Sequence, residues 1–196
     1  YSHFFYFSCL GIYMLDVPVI LLGAILLFCI PAILISAFVT AIYFALRKLP
    51  RIASDIAPVV IAFCLSAITP AYHEMVTLFP FSLLIELVIL ATGVLTPYMF
   101  LDRIFPAGSR TKIVLLGSVI TITGRLVYGF SGVFGNGTES PVFHLVTSFA
   151  TSDANFLILN SISLYVEMVI GATVVFGIIY AAMVIMRLLR RRPAGH

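Results

Sequence analysis

Four ionisable side chains interrupt otherwise apolar stretches of this chain: His73, Glu86, Arg125 and Glu167. A charge in the middle of a membrane helix costs about 2.5 to 3.5 kcal/mol on insertion scales, so such residues face a bundle interior or a cavity. Arg125 is the most deeply placed. A guanidinium stays protonated and presents five donors in a planar fork. Its partner is therefore either an internal carboxylate, Glu86 or Glu167, or an anionic or carbonyl-bearing ligand. Polar and small residues recur around these four at helical spacing. Ser66, Thr69, His73 and Thr77 fall on one stripe, and Ser82, Glu86, Gly93 and Pro97 on a second. Gly117, Thr121, Gly124, Arg125, Tyr128 and Gly132 form a third, and Asn160, Ser163, Glu167 and Gly171 a fourth. Polar stripes on four spans at one depth describe a pocket open to the outer side. Its ligand-binding residues would be Arg125, Glu86, Glu167, His73, Asn160 and Tyr128, and its ligand a small molecule or ion. The same stripes would also serve as packing seams, with Arg125 neutralised internally.

Other chemistries lack their residues. His73 and Glu74 are not followed by a second His at helical spacing, so they are not a zinc-protease pair. His3, His73 and His144 lie on separate segments, without haem-ligand spacing on one helix. The chain has no glycine-rich nucleotide loop and no GxSxG turn. No catalytic residue, metal site or cofactor is assigned. Cys9, Cys29 and Cys64 sit in apolar runs and read as buried free thiols.

The elements that must position these residues follow from composition. Of 196 residues, 62% are hydrophobic and 10% charged. Soluble domains carry roughly a quarter charged residues, and disorder requires low hydrophobicity, so both classes are excluded. The expected fold is an all-α integral membrane protein, a single transmembrane domain over 1-196. It is a bundle of about six transmembrane helices with both ends cytoplasmic. Spans are expected near 17-46, 55-76, 81-101, 113-134 and 158-186, with a partial span at 1-15. The apolar piece 142-150 is too short to cross and reads as re-entrant or interfacial. The longest span can tilt or kink, with Pro31 as the place for a kink. Ser54 and Asp55 read as an N-cap signal, with Pro58 in the first turn. Tyr1 is not a start methionine, which implies a longer or processed natural chain.

Ten of the eleven cations fall in short clusters: Arg47, Lys48 and Arg51, then Arg103, Arg110 and Lys112, then the arginines from Arg187 onward. The clusters are separated by even numbers of spans, so all share one side. By the positive-inside rule that side is the cytoplasm, most simply of the plasma membrane. Asp16, Glu74, Glu139 and Asp153 fall on the other. The cations thus report membrane orientation, not a nucleic-acid stripe. Asn136, Gly137 and Thr138 form a glycosylation sequon on the outer side.

Ala37, Ala41 and Ala45 recur every fourth residue near the cytoplasmic end of the longest span. Such a ridge lets another helix approach closely, within this chain or in a membrane partner subunit. With the outer-layer pocket and the chain's size, it looks a little like the substrate-binding S components of energy-coupling-factor transporters. Those proteins dock their transport module through small-residue ridges. The resemblance covers the ridge and the span count, and departs from the family in the ridge's orientation. The sequence leads to a small polytopic transport protein or the substrate-binding membrane subunit of a transporter. The alternative is an accessory or quinone-contacting subunit of a larger membrane complex such as a respiratory oxidase.

The cation distribution makes a direct prediction. Topology reporters fused after Arg51 and after Asn136 give opposite signals; the same signal at both points would show that the spans are miscounted.

Overall fold

The computed structural model describes residues 25-73, 79-134 and 140-191, with Val19, Leu22 and Gly23 before them. Apart from the cap residue Ser140 and short turns at 47-50, 105-109 and 148-152 these residues are helical, and no strand occurs among them. A wide π-helical turn, Ile25–Cys29, leads into α1 (Ile30–Leu46). Then come α2 (Arg51–His73), α3 (Phe79–Leu101), a 3₁₀ turn at Asp102–Ile104 and α4 (Arg110–Phe134). The short α5 (Pro141–Thr147) precedes the long α6 (Asp153–Arg191). Five helices are long and apolar enough to cross a membrane. The partial span at 1-15, like Cys9, Asp16, Glu74, Asn136 and Glu139, lies outside the described residues.

Local sequence explains these bounds. Pro31 has no N–H to donate and its ring crowds the carbonyl four residues back, so the helix widens just before it and runs regularly after it. The expected kink is thus a widened turn at one end of the span. Helix α2 starts at Arg51, ahead of the expected cap. Ser54 donates to the Arg51 carbonyl oxygen at 2.8 Å, and Asp55 is committed elsewhere. Pro58 and Pro70 consequently lie inside α2. The piece expected at 142-150 forms α5, which begins with the N-cap Ser140 accepting from Phe143 N at 3.2 Å. Pro141 at the first helical position suits φ there.

Helix α3 is the hub. It packs against α1, α2, α4 and α6, while α1 touches α4, α4 touches α6, and α6 touches both α2 and α5. Ala91 to Met99 are buried without a break. An apolar helix with no polar face suits that central position. Two glycines allow the approach. A Cβ at Gly93 would fall 2.7 Å from Met168 Cβ and 2.9 Å from Tyr165 O, so α3 and α6 touch nearly backbone to backbone. A Cβ at Gly117 would fall 1.7 Å from Tyr98 Oη, so the α3 tyrosine occupies the space a side chain on α4 would need. Phe176 on α6 packs edge-on against Tyr98 and Phe105, with ring centroids 5.1 and 4.6 Å apart.

Many hydroxyls of the bundle, Ser66, Thr69 and Thr121 of the polar stripes among them, turn back to their own helices. Ser36, Thr40, Ser66, Thr69, Thr96 and Thr121 each donate to the carbonyl four residues earlier. Links between helices are fewer: Thr96 and Tyr165 share a hydrogen bond of 3.0 Å, and Ser161 donates to Thr69 at 3.3 Å. These stripes are largely packing seams.

One expectation narrows to its second alternative, a helix outside this chain, and one changes. Ala37, Ala41 and Ala45 are exposed, so the ridge faces away from the bundle; the inward face of α1 carries Ala32, Ser36, Val39 and Tyr43 instead. Cys29 and Cys64 are free but exposed on the outer helix faces. In a lipid-facing protein small apolar side chains gain little from turning inward, so the burial habit learned from soluble cores does not transfer.

The first two basic clusters meet at one end of the bundle. Asp102 accepts from Tyr43 Oη at 2.6 Å and pairs with Arg110 at 3.2 Å and Arg47 at 3.8 Å. Arg103 pairs with Asp55 at 2.9 Å. Helix α6 runs past this layer. Its ring of Tyr180 stands 6.0 Å from that of Phe105, and residues 181-191 continue beyond.

The Gly117 contact can be tested by a cycle. Gly117→Ala is expected to destabilise the bundle by about 1–3 kcal/mol through overpacking. Tyr98→Phe alone costs little, because its buried hydroxyl has no hydrogen-bond partner among the described residues. Combining the two recovers part of the loss, measured by thermal unfolding in detergent; strict additivity would show that the two residues do not meet.

Candidate functional site

Helix α4 places Arg125 one turn beyond Thr121, and α6 places Glu167 opposite it. Arg125 Nη2 stands 3.4 Å from Glu167 Oε2. The carboxylate is largely enclosed and the guanidinium about one-third exposed, at 12% and 31% of their side-chain surface. The other carboxylate oxygen, Oε1, accepts from Ser140 Oγ. Because Ser140 also caps α5, one carboxylate ties together α4, α6 and the start of the short helix. A fully paired carboxylate of this kind avoids the cost of an unmatched charge in a low-dielectric setting.

Two cavities meet at Arg125. One, of about 500 Å³, lies between α4 and α6 at the start of α5; Thr121, Gly124, Arg125, Tyr128, Ser140, Glu167 and Gly171 line it among aliphatic side chains. Gly124 meets no atom within 4 Å of where its Cβ would be, so its missing side chain leaves open space. The other, of about 700 Å³, has Glu86, Arg125, Asn160 and Ser161 as its polar groups. Leu27, Phe28, Ile35, Leu83, Leu87, Leu90, Leu126 and Leu164 complete its wall. Among the described residues, Arg125 is the only one lining both cavities. The ion pair engages one of its nitrogens, which leaves donor capacity for a ligand.

The structure therefore brings together Arg125, Glu167 and Tyr128 in one cavity, and Arg125, Glu86 and Asn160 in the other. Of the two carboxylates considered for Arg125, Glu167 is the partner. Glu86 is exposed, with no cation within 4 Å among the described residues. His73 ends α2, and its side chain lies outside the described residues. Ser66 and Thr69 line neither cavity. Among the described residues no group of three or more His, Cys, Asp or Glu is placed to hold a metal.

Sequence reasoning missed the role of Ser140. Its signal was present as a serine immediately before a proline that opens an apolar run, the pattern of a helix N-cap. What the pattern lacked was the long-range partner. Chemically, the arrangement offers a fixed cation at the junction of two mostly apolar spaces, suited to a molecule with an apolar body and an anionic or carbonyl head.

No protein-family model matches the chain, and no curated protein or solved structure matches it significantly.

The ion pair predicts a specific stability pattern. Arg125→Ala strands Glu167 and is expected to cost about 1–3 kcal/mol. Adding Glu167→Gln removes the stranded charge while keeping an acceptor for Ser140, and restores most of that loss. A double variant no more stable than Arg125→Ala, by thermal unfolding in detergent, would mean that the pair does not act as a staple.

Proposed function

We propose that this chain is a small polytopic transport protein, or the substrate-binding membrane subunit of a transporter, whose ligand is an amphipathic molecule held by its polar head at Arg125. The observation that carries this reading is the position of Arg125 on the wall common to two largely apolar cavities. An ion pair serving only to join helices would need no such space around it. In this reading Arg125 binds the anionic or carbonyl head, and Glu167 with Ser140 holds the guanidinium in place. Glu86, Asn160 and Tyr128 supply further polar contacts on either side. His73 belongs to the same outer layer. The basic end and the C-terminus are cytoplasmic, in the plasma membrane, with residues 1-15 contributing the partial first of six spans. The cavities then open toward the outside.

A second reading is an accessory or quinone-contacting subunit of a larger membrane complex. It is favoured by the outward-facing Ala37, Ala41 and Ala45, which leave a smooth face for a partner helix. Such a subunit would co-purify with coloured haem or iron proteins, whereas a transport subunit is stable alone or with its energy-coupling partner.

Decanoate, decanol and a short-chain quinone, compared at equal concentration, test the head-group requirement. Decanoate or the quinone should raise the thermal midpoint of the purified protein while decanol does not. Arg125→Lys should weaken the effect, because a point charge replaces the planar fork. The Arg125→Ala/Glu167→Gln variant should fold and lose the effect. Equal stabilisation by decanol, or an undiminished response in the double variant, would remove the ligand role of Arg125.

A further inference from the structure

At the end of the bundle opposite Glu167, a more enclosed cavity of about 200 Å³ has four guanidinium groups and two carboxylates on its wall. They are Arg47, Arg51, Arg103 and Arg110 against Asp55 and Asp102. Asp102 is shared between Arg47 and Arg110, and Asp55 takes Arg103. Arg51 has no carboxylate within 4 Å among the described residues. Four positive charges against two negative leave an excess of two in a small, partly enclosed space. Arginines crowded in this way repel one another unless an anion joins them. The first turn of α2 lines the same cavity through Arg51 and Ser54, and adds the positive end of its dipole.

From this geometry we infer that the cavity is a binding site for a phosphate group, supplied by the head of an anionic phospholipid. The guanidinium fork matches phosphate oxygens in pairs, and the volume admits a phosphate with its immediate substituents. The surroundings favour a lipid source over a free anion. Leu49 lines the cavity and is exposed, and Ile52 and Ile104, which follow Arg51 and Arg103 in the chain, are exposed too, Ile52 by 78%. They supply an apolar track for acyl chains next to the charged mouth, the arrangement by which basic pockets between membrane helices hold anionic head groups. This site is separate from the Arg125 cavities and does not depend on the function proposed for them.

The purified chain in neutral detergent is titrated with dioleoylphosphatidylglycerol, with dioleoylphosphatidylcholine, and with inorganic phosphate, following the thermal midpoint and the lipid retained in native mass spectra. The phosphatidylglycerol should bind and stabilise, and the phosphatidylcholine should do so weakly or not at all. Arg51→Gln should weaken phosphatidylglycerol binding about tenfold, the worth of one charge-assisted contact. Arg51 is exposed and has no described carboxylate to strand, so this variant keeps its fold. Lys112→Gln, an exposed change at the same end but off the cavity wall, should have no effect. The phosphate arm separates the sources: Arg51-dependent stabilisation by phosphate as strong as that by the lipid would keep the phosphate site and overturn its assignment to lipid. Equal binding of the two lipids, or equal losses in Arg51→Gln and Lys112→Gln, would overturn the site itself.

Discussion

Helices surrounded by lipid gain almost nothing by hiding apolar side chains from one another, because the surroundings are as apolar as the interior. Association must come from close fit and a few well-placed polar links. The bundle meets that constraint around α3, whose stretch from Ala91 to Met99 is buried without interruption. Gly93 brings its backbone onto α6, and the space at Gly117 receives the Tyr98 ring on α4. The polar residues of the interior mostly satisfy themselves on their own helices, which leaves the fit undisturbed by competing hydrogen bonds.

The two ends of the bundle use charge in opposite ways. At one end a single carboxylate, Glu167, collects a guanidinium and a hydroxyl from two other elements, and its charge is balanced. At the other end Asp102 and Asp55 are outnumbered by the arginines around them, so charge is left over. A balanced pair between two cavities makes a stable wall from which one group can still reach a ligand. An unbalanced cluster attracts counter-ions. The difference separates a site whose charges close on one another from one that carries positive charge in excess.

Much of this was legible in the sequence because hydropathy reports environment directly. Long apolar stretches pointed to membrane-crossing helices, and the structure describes five that are long and apolar enough; the period of the polar positions put Arg125 and Glu167 on two of the stripes, which the fold brings together. What stayed open or failed did so where the sequence signal is one-sided. The alanines at 37, 41 and 45 mark a smooth face but not what it meets, and it turned outward. Ser66 and Thr69 share the spacing of pocket residues, yet a hydroxyl can satisfy itself on the preceding turn and then reports only packing. The part Asp55 and Asp102 play in gathering the arginines was not legible, because carboxylates among arginines look like ordinary loop or cap charge. Only the folding of two distant loops onto one another makes them the centres of a cluster. Ser54 and Asp55 resemble a helix start for the same reason: the competing use of Asp55 comes from Arg103, 48 residues away.

The pairing of Arg125 with Glu167 also imposes an order on manufacture. Helix α4 leaves the ribosome well before α6, so its guanidinium enters the bilayer with the carboxylate that will neutralise it still unmade. Helix α3 precedes α4, but its Glu86 has no cation within 4 Å among the described residues, so it does not stand in for the missing partner. Closure of the ion pair is thus a late event in the life of the chain, even though it sits at the geometric centre of the candidate site.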